Sequence, residues 1–439
     1  MTSTTLADGD EHASASPAFP DRSFRALWTA TGLSQVGSAV SNVTVPVCAA
    51  VTLGASPLDM TLLAAVGVLP SLLVRIPAAA WSDGLSRSRA PMMAACNLVQ
   101  AAIMGLIPLL WWLGALHMVL LLVLAAAASG ALAVYSALGS PLLVRIVPKA
   151  HLVEANGKMS ATRSVADISG PALGGALLAV LAAPYVVLVD ALSFLASAAL
   201  LTRVADGKAG RSTDQDGTGQ GGAVGAVKPR KQRLGAAANI RLAVALARQS
   251  GLRAAVTVAF VNGVTQPVLV LFLVRSVHMR PSLIGTLLSF GAVGGVVGGM
   301  LVGRAQKRFG AARTLALGTA MSLLSLALLP FASAGPGAMA GLVLMELGGS
   351  FGGTLLIATV FGGLQACAPN EKIAQVMAMA FVQLQAADLI GVPVGGALAI
   401  AFGTRWAMVT AFALLAVILG PQLVRWAVTR WAPDPPITV

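Results

Sequence analysis

Charged residues are scarce in this chain of 439 residues: Asp, Glu, Lys and Arg make up 10%, against 57% hydrophobic residues. A soluble domain carries roughly a quarter charged residues, and here the few charges cluster between long apolar runs. A water-exposed surface cannot be built from them. Cysteine is nearly absent too. Cys48, Cys96 and Cys367 are odd in number, far apart, and each lies in or beside an apolar run, which gives neither a disulfide framework nor a metal cage. No G-x-x-x-x-G-K-[ST] loop occurs, so nucleotide hydrolysis by the P-loop route is excluded and any work must draw on a gradient. His12, His117, His151 and His278 fall in tails or loops. The G-x-S-x-G string from Gly348 to Gly352 therefore lacks a histidine within reach and is no nucleophile elbow. The reading is of a protein that is not an enzyme and carries no cofactor.

What is present is a series of continuously apolar runs. An outer-membrane barrel would alternate in hydrophobicity over about ten residues, so these are helical spans of roughly 20 residues each. They lie near 26 to 53, 58 to 80, 91 to 113, 117 to 141, 159 to 182 and 184 to 203, then near 252 to 275, 282 to 303, 314 to 334, 338 to 365, 373 to 402 and 406 to 429. With both termini in the cytoplasm, only Arg275, Arg280 and Arg405 fall outside and only Arg75 and Arg163 fall within spans. The remaining basic residues are then cytoplasmic, which orients the chain in the cell membrane. The net charge of +13 belongs to these loops, beside anionic lipid headgroups, and implies no nucleic-acid partner. The first residues are polar and acidic, without the basic start of a signal peptide, so the first span is expected to act as its own uncleaved insertion signal.

Between the sixth and seventh spans, DGKAGRSTDQDGTGQGGAVGAVKPRKQR has almost nothing to bury and reads as a disordered linker. The expected organisation is a tail over 1 to 23, a six-helix bundle over 24 to 203, the linker over 204 to 236, a second six-helix bundle with a preceding surface helix over 237 to 430, and a tail over 431 to 439. The halves echo one another. Ala166 to Leu177 reads ADISGPALGGAL and Ala387 to Leu398 reads ADLIGVPVGGAL, identical at 7 of 12 positions at an offset of 221. The expected fold is thus an all-α membrane protein of twelve transmembrane helices in two pseudo-symmetric bundles, the arrangement with which many secondary transporters alternate access to a mid-membrane site.

Several segments carry a resemblance to a known family: FRALWTATGLSQVGSAVSNVTVP, LPSLLVRIPAAAWSDGLSRSR, VPKAHLVEANGKMSATRSVADISGPALGGALL, VDALSFLASAAL, GLRAAVTVAFVNG, LIGTLLSFGAVGGVVGG ahead of GRAQKRFG, and VPVGGALAIAFGTR. The chain resembles the major facilitator superfamily, and within it the twelve-span exporter branch that includes macrolide efflux pumps and the enterobactin exporter. The resemblance implies the major facilitator fold and a charge relay at the cytoplasmic face, onto which Asp83, Arg87 and Arg89 map. Ala79 and Gly84 depart from that motif, standing where the family has glycine and arginine. GPALGG resembles the antiporter signature. On physical grounds Gly170 and Gly174 admit a close helix and Pro171 bends its own. Gly175 completes the motif, which Gly391, Pro393, Gly395 and Gly396 repeat.

Ionisable residues within spans are costly and are functional candidates for that reason. Arg163 and Asp167, four apart, share a helix face; Asp388 matches Asp167 in the second half; Glu346 precedes Gly348 and Gly349; Asp190 lies near the outer end of the sixth span. Arg163, Asp167, Asp388 and Glu346 are the candidates for proton coupling. Thr31, Gln35, Ser38 and Asn42 form one stripe down the first span, matched by Asn262 and Gln266 in the seventh, as the candidate cavity lining. The function so read is a proton-coupled efflux antiporter for amphiphilic small molecules such as drugs, antibiotics or siderophores, working as a monomer. An importer or facilitator on the same fold, and a membrane scaffold or sensor, are the alternatives.

Overall fold

The computed structural model describes residues 21 to 83, 89 to 148, 151 to 204, 246, 250 to 328, 336 to 367 and 373 to 428. The N-terminal tail to residue 20, Arg87, nearly all of the linker and of the surface helix ahead of residue 250, and the C-terminal tail lie outside the described residues. So does the side chain of Asp83.

The first half contains α1 (Arg22–Val47), α2 (Pro57–Asp83), α3 (Ala90–Trp112), α4 (Met118–Ile146), α5 (Leu152–Leu178) and α6 (Ala183–Leu201). Their starts are written locally. Asp21 caps α1 by accepting from the Phe24 N–H at 2.7 Å. Ahead of α2, Ser56 and Asp59 form a reciprocal box: Asp59 accepts from the Ser56 N–H at 2.9 Å and Ser56 Oγ accepts from the Asp59 N–H at 3.2 Å. Each satisfies a donor that the first turn leaves open. Pro46 precedes a π-turn over Cys48–Thr52 that ends α1.

The second half begins with α7 (Ser250–Arg275), followed by the run Pro281–Leu328. At 1.5 Å per residue, that run of 48 residues would reach about 72 Å, more than twice an apolar bilayer core of about 30 Å. It is broken at Gly310, whose φ of 82° and ψ of 165° lie where a side chain would be strained. We number its parts α8 (281 to 309) and α9 (311 to 328). Then come α10 (Pro336–Cys367), α11 (Ile373–Phe402) and α12 (Thr404–Val428). Among the described residues, eight helices, the 281 to 328 run counted once, are long and apolar enough to cross a membrane by length and composition. Helix α5 is not among them, because it carries Glu154, Lys158, Arg163 and Asp167.

The repeat extends from sequence into structure. Adding 221 to the first residues of α3, α5 and α6 gives the first residues of α9, α11 and α12. Neighbours correspond as well: α1 packs on α5 and α6 as α7 packs on α11 and α12, and α2 packs on α4 as α8 packs on α10. The halves meet through α5 with α8 and α2 with α11.

Burial shows where they meet. One core cluster joins both halves, running from Val43, Met60 and Ile107 to Val268, Phe272, Leu287 and Met408. It lies at the end of the bundle that carries the short α1–α2, α3–α4, α5–α6 and α7–α8 connections, which we call the short-loop end. At the opposite, terminal end the cores are separate. Phe24, Met93 and Leu142 belong to a first-half cluster, and Leu252, Leu364 and Trp426 to a second-half one. Among the described residues, the halves are therefore welded at the short-loop end and packed independently at the other.

Candidate functional site

Glycine sets the weld. A Cβ on Gly175 would fall against the backbone of Ser282, Gly285 and Thr286, and one on Gly396 would fall on the Thr61 side chain. Ser282 and Thr61 are themselves 221 residues apart, so α5–α8 and α11–α2 are symmetry-related contacts. Gly170 abuts Ala39 of α1, and Gly391 abuts Phe260 and Val264 of α7, with Ala39 and Phe260 again at the same offset. The two glycine motifs thus divide their work: the first glycine fixes a helix inside its own half, the last fixes the opposite half. Pro171 and Pro393 lie inside their helices, and the Pro171 carbonyl closes against Gly285. Arg275 Nη2 adds a polar tie across the halves, donating to the carbonyls of Gly54 at 3.1 Å and Ala55 at 2.8 Å.

Above the weld two cavities open. The first, of about 330 Å³, is enclosed mainly by the first half and completed by Gln266, Pro267, Leu269, Val270 and Leu288. Its polar groups are Ser38, Ser41, Asn42, Gln100, Ser129, Asp190 and Gln266, set among side chains such as Met60, Met104 and Phe194. The second, of about 190 Å³, lies within the second half between α7, α9, α10 and α12 and presents Asn262, Thr265, Gln266, Ser322, Ser325, Glu346 and Ser350. Gln266 and Leu269 line both. Among the described residues, no residue lining either cavity is basic.

The α1 stripe read from sequence divides. Ser38 and Asn42 face the first cavity. Thr31 instead meets the Tyr135 hydroxyl of α4 at 3.3 Å, and Gln35 holds a buried Oε1 without a hydrogen-bond partner; neither lines a cavity described here. Asn262 and Gln266 do.

Asp167 and Arg163 are four apart on α5, as expected, but the pair is not enclosed. Their charged atoms are 3.9 Å apart with side chains 59% and 75% exposed, because α5 and α8 diverge away from the Gly175 contact. Asp167 lines a groove of about 560 Å³ with Ser164, the glycine face of α8 (Gly291, Gly295, Gly299) and Ser350. On the other side of that face a Cβ on Gly291 would meet Glu346 Oε2 and Ser350 Oγ. Ser350 therefore borders both the groove and the second cavity, linking the surroundings of Asp167 and Glu346. Asp388 is set apart: it is half-buried, and its carbonyl is the group that a Cβ on Gly263 of α7 would strike.

At the terminal end, Arg89 Nη2 donates to the Ser82 carbonyl at 2.9 Å and Ser82 Oγ donates to the Ala137 carbonyl at 3.1 Å. This ties the end of α2 to α3 and α4. The other two residues of the expected charge relay, the Asp83 side chain and Arg87, lie outside the described residues.

Asp190 stands out against the sequence-based ranking. It is 1% exposed and is the one acid among the described residues lining the first cavity. The available signal was a lone acid inside the apolar run of α6, but its depth and its neighbours on α1 come from packing. Gln100 and Ser41, also on the cavity, gave no distinguishing signal.

A sequence profile of the transmembrane secretion effector family, within the major facilitator superfamily, matches residues 13–431. The chain belongs to this family. No curated protein matches it in sequence. Among solved structures, the chain is similar to the nucleoside transporter NupG, with a TM-score of 0.70 and 11% identity over 93% of this chain and 99% of that one. A bacterial homologue of the iron transporter ferroportin in an inward-facing state gives 0.68 and 14% over 93% and 99%. A bacterial homologue of the human lysosomal transporter Spinster, inward-facing and unoccupied, gives 0.65 and 16% over 95% and 100%. At these identities the likeness concerns the fold. The chain is a multi-pass membrane protein with a transporter fold.

Proposed function

We propose that this protein is a proton-coupled antiporter that exports amphiphilic small molecules from the cytoplasm by alternating access. The observation that carries the reading is the unequal joining of the halves. One shared core and two symmetric glycine contacts close the short-loop end, while separate cores hold each half at the terminal end. With the termini cytoplasmic and the chain spanning the cell membrane twelve times, this is a state open to the cytoplasm. It is the state named for the ferroportin and Spinster homologues.

The cavity walls suit an amphiphile: apolar surface takes up the body of the solute, and Asn42, Gln100, Asn262 and Gln266 offer hydrogen bonds. The proton enters at Asp167 in the groove and reaches Glu346 past Ser350, so that solute and proton share the α7–α10 region. Arg163 stands one turn from Asp167 on α5, 3.9 Å away, as its charge partner. Asp388 supports α7, and Asp83, Arg87 and Arg89 latch the cytoplasmic face in the opposite state.

Proteoliposomes test this. An imposed pH gradient should drive uptake of a lipophilic dye with counterflow of protons, and an uncoupler should abolish both. Dye flux indifferent to the pH gradient would establish a facilitator and remove antiport.

A further inference from the structure

The seam between α1 and α6 holds an arrangement that export as described above does not use. We infer that Asp190, Ser38, Ser41 and Ser193 form a binding site for a small monovalent cation of the sodium type. Gly37 makes the seam possible, because a Cβ there would coincide with Ser193 Oγ and crowd Asp190 Oδ1. The two backbones can therefore close until the α1 hydroxyls face the α6 carboxylate. Asp190 is 1%, Ser41 6% and Ser193 7% exposed, and Ser38, Ser41 and Asp190 all border the first cavity, which gives an ion a path in.

Oxygen bookkeeping points to a cation. Most hydroxyls in these helices donate to a carbonyl three or four residues back, as Thr44 does to Val40, Thr265 to Val261 and Ser322 to Gly318. Ser41 does not: its buried Oγ faces the Asp190 carboxylate and makes no hydrogen bond of normal geometry. Ser193 Oγ lies 2.8 Å from the Asp190 carbonyl and 3.3 Å from Asp190 Oδ1. Its single proton is shared between the two, with the shorter contact to the carbonyl, so the carboxylate receives at most a weak bond from it. Three hydroxyl oxygens and a carboxylate thus converge in a buried seam, with no basic residue among the described residues lining the adjoining cavity.

A buried carboxylate needs a compensating charge. A proton supplies it and satisfies one of these oxygens; a cation satisfies all of them. Oxygen-only donors select a hard ion, a single carboxylate matches a single positive charge, and the close α1–α6 approach favours a small one. The site has no copy in the second half, where Ala411, Ala259, Asn262 and Leu414 stand at the positions 221 residues on. One ion is bound per molecule, and its presence switches the first cavity's wall from negative to neutral.

Thermal unfolding of the purified full-length protein in nanodiscs provides the test, with NaCl titrated against choline chloride at constant ionic strength. A saturable rise of the midpoint with Na⁺ is expected, absent in Asp190→Asn and shifted to about tenfold higher Na⁺ in Ser41→Ala, the effect of losing one bond to a charged group. An equal response to choline, or a full Na⁺ response in Asp190→Asn, overturns the site; an equal response to K⁺ overturns the sodium assignment. If Asp190→Asn does not accumulate, unchanged half-saturation in both Ser41→Ala and Ser38→Ala overturns it instead. Binding is read without transport, so it stands or falls separately from the export reading.

Discussion

Asn97 of α3 and Gly318 of α9 are 221 residues apart and stand at the same place in the two halves, yet they hold helices together by different means. Asn97 Nδ2 donates to Ser197 Oγ at 2.7 Å, and Ser197 Oγ donates to the Ala30 carbonyl at 2.7 Å, so a polar chain ties α3 to α6 and α1. Trp28 to Thr162 at 2.7 Å and Ser129 to the Gly67 carbonyl at 2.6 Å extend the pattern across the first half. Gly318 has no side chain and lies against Gly352 of α10, and Gly294 and Gly298 lie against the backbones of Leu347 and Phe351. At this pair of positions the second half uses backbone approach where the first uses a chain of hydrogen bonds. In lipid both work, since burial of apolar surface no longer drives association and close packing or polar contacts must. The duplicated architecture constrains helix positions and leaves the adhesive free to vary.

The buried acids diverge in the same way. Asp190 corresponds to Ala411 and Glu346 to Ala125, whereas Asp167 and Asp388 match each other. The matched pair lies outside the cavities, and the unmatched residues line them. The repeat preserves the scaffold, and the acids that line the two cavities stand where it is broken.

That contrast can be broken most severely at Glu346. Glu346→Gln keeps shape and hydrogen bonding but cannot carry a proton, and should reduce gradient-driven efflux to background while the protein remains folded in the membrane; dye efflux in cells alongside a size-exclusion profile checks it. Next in size is Gly318→Leu, which forces α9 from α10 and should cost about 3 kcal/mol of stability, measured by chemical unfolding in micelles. Asp167→Asn should slow proton-coupled transport by about tenfold, a barrier rise of about 1.4 kcal/mol, while Asp388→Asn changes it much less; equal effects on proton flux in proteoliposomes would remove the distinction between the matched acids. The smallest effect expected is that of Asn97→Ala, which should cost about 1 kcal/mol, within the range of hydrogen bonds between membrane helices. A loss as large as that of Gly318→Leu would show that the polar chain, and not close packing, governs the first half.

The primary structure by itself determined the helical membrane class, the twofold repeat and the glycine motifs, because each rests on periodicity, hydropathy and identity along one chain. Helix positions followed closely, as in the start of α11 at Ile373 and the break at Gly310 between two apolar runs. Tertiary structure decided which side of a helix meets water, a cavity or another helix. Spacing placed Thr31, Gln35, Ser38 and Asn42 on one stripe, but only the crossing of α4 diverts Thr31 to Tyr135 while Ser38 and Asn42 face the cavity. Asp167 is open because α5 and α8 part beyond Gly175, and Asp190 is enclosed because Gly37 lets α1 close over α6. Such depths depend on contacts between residues more than a hundred positions apart, and no local pattern along the chain encodes the angle at which two helices cross.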